Sequence, residues 1–164
     1  MPTDTLYGVV GRAEDKNVVE RIYEIRKRNK SKPCIILIAN LNELIKFGIS
    51  ITKIQRLEIE KFTEPTSFIM DCADENLSYL HRGTRTLAFR IPAQEELGKL
   101  LLEVGPLIAP SANIEGLPPA QNISEAKEYF GDSVDLYIDG GRITGRASKI
   151  IKLHKDGKVD IIRE

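Results

Sequence analysis

Two patterns in this chain have the residue types to hold an anionic ligand. The first is the run Ile108 to Gly116, IAPSANIEG, where Ser111 and Asn113 follow closely on Pro110. A short apolar segment, Gly105 to Ala109, precedes them and reads as a buried strand entered through a Gly-Pro turn. Pro110 has no N–H to give a sheet ladder, so the strand stops or kinks there. A hydroxyl and an amide are then presented at the carboxyl end of a strand, where open α/β sheets place their ligands. The same residues would equally serve as a polar turn. The second pattern is basic: Arg21, Arg26, Lys27, Arg28, Lys30 and Lys32, against only Glu20 and Glu24, leading into Pro33. Such a run is ordinarily a solvated helix face. Placed ahead of a buried strand, it is also a candidate anion site.

Several chemistries are excluded. The chain has no G-x-x-x-x-G-K-[ST] and no G-x-G-x-x-G, so a bound nucleotide must be held by scattered Arg, Lys and hydroxyl groups. It has no G-x-S-x-G elbow, and Ser111 has no histidine partner visible in sequence, which makes it a hydrogen-bonding residue and not a nucleophile. Cys34 and Cys72 show no C-x-x-C spacing and, with only two histidines, support neither a disulfide framework nor a zinc site; no metal ligands are assigned. Formal net charge is zero, so no global field attracts nucleic acid.

The elements that must position these residues follow from length and periodicity. At 164 residues, 41% apolar and 29% charged, the chain fits one soluble globular domain. No run of about 18 apolar residues exists, and the N-terminus reads as neither signal nor transit peptide, which points to the cytoplasm. Thr3 to Val10 predicts a strand. Val18, Val19, Ile22 and Ile25 predict a helix begun by Glu14 and Asp15 and ending in the basic cluster. Pro33 to Ala39 is a continuous apolar run, the mark of a strand buried on both faces. Asn40 caps a short helix, Leu41 to Phe47, stopped by Gly48, and Thr52 to Phe62 predicts another. Thr66 to Cys72 and Arg85 to Ile91 read as strands joined by a polar loop in which His81, like His154 later, is a surface residue. Gln94 to Val104 is helical, a further helix starts with Ser124 as its cap, and Val134 to Ile138 is a strand. Ser148 to Leu153 and Val159 to Arg163 form a hairpin about Asp156-Gly157. The class is α/β with a mixed sheet.

Five segments together resemble one family: PTDTLYG (Pro2–Gly8), IRKRNKSKP (Ile25–Pro33), RTLAFRIP (Arg85–Pro92), APSANIEGLPP (Ala109–Pro119) and DGGRITGRASKII (Asp139–Ile151). The chain is similar, over nearly its whole length, to the threonylcarbamoyl-AMP synthases, whose fold is the YrdC-like domain. That resemblance implies an open twisted mixed sheet with helices packed on it around a large, positively lined cavity. It implies a nucleotidyltransferase that joins L-threonine, bicarbonate and ATP into threonylcarbamoyl-adenylate. It also implies a downstream threonylcarbamoyltransferase acting on tRNA, and no cofactor beyond the Mg2+ that accompanies ATP. Tyr7 is either a pocket wall or core, and Asp4 either orients Thr5 or starts a turn.

Residue by residue, the resemblance assigns Thr5, Arg90, Ala109 and Ser148 to the threonine side. It assigns Arg28, Lys32, Thr86, Ser111, Asn113 and Arg163 to ATP. Arg26 and Arg28 would stabilise charge, with no acid–base catalyst required, since positioning and charge neutralisation carry such a transfer. The chain departs from the family pattern at Arg26, which replaces a lysine, at Thr63–Ser67, where a PGPxT turn is expected, and at Lys149, which replaces a threonine. It begins at a point where family members already have a helix and part of a strand, which predicts exposed apolar surface and self-association, or cover by a partner. The alternatives are a YciO-type paralogue without synthase activity and an RNA-binding module for tRNA or double-stranded RNA using the Arg21–Lys32 cluster. The carbamoyl-transfer domain of hydrogenase maturation proteins shares the fold, but within a much longer chain.

Overall fold

Hydrophobic spacing and side-chain caps set the elements in the computed structural model, which describes residues 1–164. Helix α1 spans Lys16–Ile25 and buries Val19, Ile22 and Tyr23. The Asp15 carboxylate starts it, accepting from the N–H groups of Asn17 and Val18 at 2.9 and 3.2 Å and so satisfying donors the first turn leaves free. Past its end Lys27 takes φ +48°, a left-handed conformation that costs a residue with a side chain about 1–2 kcal/mol. This reversal separates the buried Arg26 from Arg28, which lies in the following loop.

There are seven strands: β1 (Gly11–Arg12), β2 (Ile35–Leu37), β3 (Thr66–Asp71), β4 (Thr86–Arg90), β5 (Leu107–Ile108), β6 (Lys149–Leu153) and β7 (Val159–Arg163). They form one mixed sheet in the order β1-β5-β2-β4-β3-β6-β7. The β2–β4 and β3–β6 pairs are parallel and the rest antiparallel. In one row across four strands Ile36 faces Phe89, Phe89 faces Phe68, and Phe68 faces Ile151. These residues make the main core with α1 and with Phe47, whose ring centre lies 5.1 Å from that of Phe89. On the other face Leu37 and Leu107 are covered by Leu97 and Leu101 of α4 (Glu95–Val104). Arg90, opposite Leu37 in the ladder, belongs to that second face.

Local signals placed the remaining helices. A 3-10 helix over Leu41–Phe47 is capped by Asn40 and closed by Gly48 at φ +65°. Helix α2 (Lys53–Ile59) begins with a reciprocal capping box between Thr52 and Gln55. Helices α3 (Ser78–His81), which has no side-chain cap, and α5 (Ile123–Phe130), with short 3-10 helices over Glu75–Leu77 and Gly131–Ser133, complete the set. No helix is long and apolar enough to cross a membrane.

Five expectations are corrected. Thr3 to Val10 is not a strand: Thr3 folds back on Leu6 through its N–H (3.0 Å) and its hydroxyl (2.6 Å), and such local bonds displace a ladder. Only isolated bridges, Pro2 with Tyr7 and Gly8 with Ser111, remain there. Val134 to Ile138 has no neighbouring strand and stays irregular. Of Pro33 to Ala39, only Ile35–Leu37 pairs. Helix α5 is capped by Asn122, whose side chain accepts from Glu125 N–H at 3.0 Å, and Ser124 lies in its first turn. His81 is buried at 1% exposure, its Nδ1 accepting from the Gly83 N–H at 3.1 Å. The loop holding it folds into α3 and tucks the ring inward. His154 sits near the surface, with Nε2 2.7 Å from Asp160.

Because Phe89 is 2% exposed and is central to the core row, Phe89→Ala is expected to lose about 3–5 kcal/mol of stability. Urea denaturation should show a lower midpoint with an unchanged slope.

Candidate functional site

Thr3 makes the N-terminal turn, and the turn aims Asp4 inward. The Asp4 carboxylate accepts from Nη2 of Arg90 at 2.9 Å, and both side chains are at most 5% exposed. Arg90 is thus held at the end of β4 by a buried ion pair. Burial lowers its pKa from the usual guanidinium value, and the Asp4 charge opposes that shift. Arg90 Nε and Asp4 Oδ2 are buried without partners.

A second segment is drawn over this turn. The Tyr7 hydroxyl donates to Gly141 O at 2.7 Å and accepts from Gly140 N–H at 2.8 Å. Further along the strap, a Cβ on Gly145 would collide with the Thr5 carbonyl oxygen, so glycine is required by that close approach. The strap delivers Ser148, whose hydroxyl lies 2.8 Å from that of Ser67 in a buried pair. Arg163 of β7 donates twice to the Ser148 carbonyl, at 3.2 and 2.7 Å.

The third wall is Ala109 to Ser111, held from beneath by Asn113. Arg26, 1% exposed, donates Nε to Asn113 O (3.1 Å) and Nη2 to Asn113 Oδ1 (2.9 Å) and Ser111 Oγ (3.4 Å). The Ser111 hydroxyl in turn donates to Asn113 Oδ1 at 2.8 Å. Burial, with the Arg28 charge beside it, pushes the Arg26 guanidinium down to about 10, so it remains a cation at neutral pH. Arg28 leans on its own loop, donating to the carbonyls of Lys32 (3.2 Å) and Pro33 (3.1 Å).

These walls enclose a cavity of about 170 Å³ that opens to solvent. Thr5, Arg28, Arg90, Ala109, Ser111, Ser148 and Arg163 all line it, together with Tyr7 and Cys34, and no carboxylate does. Three guanidinium groups line it and only Arg90 is paired with a carboxylate, Asp4, so the lining keeps a positive excess suited to an anion. Its enclosed volume suits an amino acid, below the roughly 300–1,000 Å³ of larger ligand pockets.

Four expected site residues lie outside that lining. Arg26 and Asn113 are locked together beneath the Ser111 loop and so position it. Lys32 is surface-exposed and paired with Glu115 at 2.7 Å. Thr86 shares Arg90's face of β4 but stands about 13 Å along the strand at 3.3 Å per residue, its hydroxyl 3.1 Å from that of Thr84. Tyr7 is fully buried and is both core and cavity wall. Sequence reasoning missed Ser67, Gly145 and Glu115, and left Asp4 without its partner. Asp4 and Ser67 gain their importance from strand pairings and a turn that no local pattern announces.

A family model described as "Telomere recombination", that of the Sua5, YciO and YrdC proteins, matches residues 1–164. The chain belongs to the Sua5/YciO/YrdC family. It is 33% identical over 155 residues to the threonylcarbamoyl-AMP synthase of Pyrococcus abyssi, covering 93% of this chain and 46% of that protein. It is 29% identical over 143 residues to the threonylcarbamoyl-AMP synthase of Bacillus subtilis, covering 85% of this chain and 41% of the relative. Among solved structures it matches P. abyssi Sua5 complexed with L-threonine, with TM-score 0.87 and 31% identity over 99% of this chain and 48% of that one. E. coli YciO matches with TM-score 0.82 and 26% identity over 99% of this chain and 80% of that one. The chain therefore spans about half the length of the P. abyssi and B. subtilis relatives.

In this member of the family, Gly145→Ala should force the strap off Thr5, lowering stability by about 1–3 kcal/mol as an overpacked contact does. Thermal denaturation measures it; an unchanged melting temperature would show that the strap yields freely.

Proposed function

We propose that this chain is a threonylcarbamoyl-AMP synthase domain, making the adenylate from L-threonine, bicarbonate and ATP. The observation carrying the reading is Arg90, set in the cavity wall beside Thr5 and Ser148 with its buried Nε still unpartnered. A carboxylate entering the cavity meets the Arg90 guanidinium that lines it, and the neighbouring hydroxyls suit an amino acid that itself carries a hydroxyl and an ammonium group. The relatives named threonylcarbamoyl-AMP synthase and the L-threonine complex of P. abyssi Sua5 support this reading.

The threonine amine first combines with bicarbonate, losing water, to give a carbamate. A carbamate oxygen then forms a bond to the α-phosphorus of ATP as the bond to the pyrophosphate oxygen breaks. Both steps gather negative charge, which Arg28, Arg90 and Arg163 are placed to neutralise. Mg2+ would accompany ATP as the chelate of its phosphates. The product passes to a threonylcarbamoyltransferase acting on tRNA, and the work belongs to the cytoplasm.

A second reading, a YciO-type paralogue with the same fold and no synthase activity, is supported by the likeness to E. coli YciO at TM-score 0.82. Pyrophosphate release with ATP, bicarbonate and Mg2+, with and without L-threonine, separates the two. Threonine-dependent release is expected; no release, together with no threonine binding, overturns the synthase. Salt-sensitive binding of double-stranded RNA without turnover would move the assignment to an RNA-binding module. Arg90→Ala should weaken L-threonine binding at least tenfold more than ATP binding by titration calorimetry. Equal loss of both in a folded variant would remove Arg90 from its assigned role.

A further inference from the structure

The basic loop beyond α1 is not vacant. The Glu115 carboxylate accepts from the Asn29 backbone N–H through Oε2 and from Lys32 Nζ through Oε1 at 2.7 Å. Its own N–H donates to Arg26 O at 2.9 Å, so the backbone of the Ser111 wall is anchored while its side chain reaches across to the loop. The Lys32 carbonyl that Arg28 contacts also accepts from the Tyr23 hydroxyl at 2.8 Å. Two of the loop's donors, Asn29 N–H and Lys32 Nζ, are therefore satisfied by one carboxylate, an anion brought from another segment.

We propose that Glu115 is a resident anion on the Asn29–Lys32 side of the basic loop, and that a polyphosphate chain entering beside Arg28 must displace it. Carboxylate and phosphate oxygens compete for the same donors, a backbone N–H and an ammonium. Lys32 and Asn29 N–H, and after them the charge of Arg28, hold the Glu115 carboxyl below the usual carboxylate range, so it stays charged as a competitor at neutral pH. Glu115 thereby sets how tightly the cavity's outer rim takes polyphosphate. Once a phosphate product leaves, the carboxylate returns to Lys32 and closes the loop. This regulation concerns the same site as the synthase reading and rests on that reading for its biological ligand.

The experiment uses inorganic tripolyphosphate, which carries neither adenosine nor threonine. Calorimetric titration at low ionic strength, where screening is weak, is run on the wild type, Glu115→Gln, Lys32→Met and the double variant. Circular dichroism confirms the fold of each. Glu115→Gln should bind tripolyphosphate about tenfold more tightly, and Lys32→Met in that background should remove most of the gain. L-Threonine affinity should be unchanged by Glu115→Gln. Affinity equal to wild type, weaker than wild type, or undetectable in Glu115→Gln would overturn the proposal. If tripolyphosphate binding tightens while threonine-dependent pyrophosphate release is absent, the resident-anion proposal stands and the synthase reading falls.

Discussion

The buried ion pair between Asp4 and Arg90 is the constraint on which the site depends. A guanidinium inside a protein is costly unless a counter-charge and hydrogen bonds answer it, and removing one partner of such a pair typically costs about 3–5 kcal/mol. Here the counter-charge comes from the N-terminal turn and the cation from a central strand, 86 positions apart. The turn cannot leave the sheet without abandoning Arg90 in a low-dielectric wall. Thr5 is carried along, because it lies next to Asp4 and under the strap at Gly145.

The other walls are tied in by equally unequal partners. Arg26 gives Nε and Nη2 to Ser111 and Asn113, its buried Nη1 has no partner, and the residue stands outside the cavity lining, so it supports the Ser111 loop from beneath. Arg163 braces Ser148 through its carbonyl while itself lining the cavity, and Ser67 holds the Ser148 hydroxyl. Arg28 remains the guanidinium committed only to carbonyls of its own loop, and is the one freest to turn to a ligand. A cavity with three arginines and no lining carboxylate selects anions.

Much of the fold was readable where short-range chemistry decides. Asp15, Asn40 and Thr52 start their helices because side-chain oxygens meet free N–H groups one turn on. Helix α4 and the final hairpin followed from spacing and from a turn pair. The reading failed where local and distant partners compete. Thr3 to Val10 has β-forming residues, yet the Thr3 hydroxyl takes the Leu6 carbonyl and turns the chain. Val134 to Ile138 has the composition of a strand, but no neighbour offers it a ladder. His81 looked exposed in a polar loop and is buried because α3 forms there.

For the site, the sequence by itself determined the residue types: two arginines around Lys27, the Ser111 and Asn113 pair, Arg90 at a strand end, Ser148 after a glycine-rich stretch. Only the tertiary structure decided their roles. Whether an arginine meets a ligand or another part of the protein depends on which way its strand or loop faces. Arg26 and Arg28 are two residues apart, and the left-handed turn at Lys27 sends one into the interior and leaves the other on the cavity. The Asp4 partner of Arg90, the Ser67 partner of Ser148 and the Glu115 partner of Lys32 are all brought together by sheet order and loop path. Electrostatic and hydrogen-bond energies depend on distance in space, and sequence records only distance along the chain.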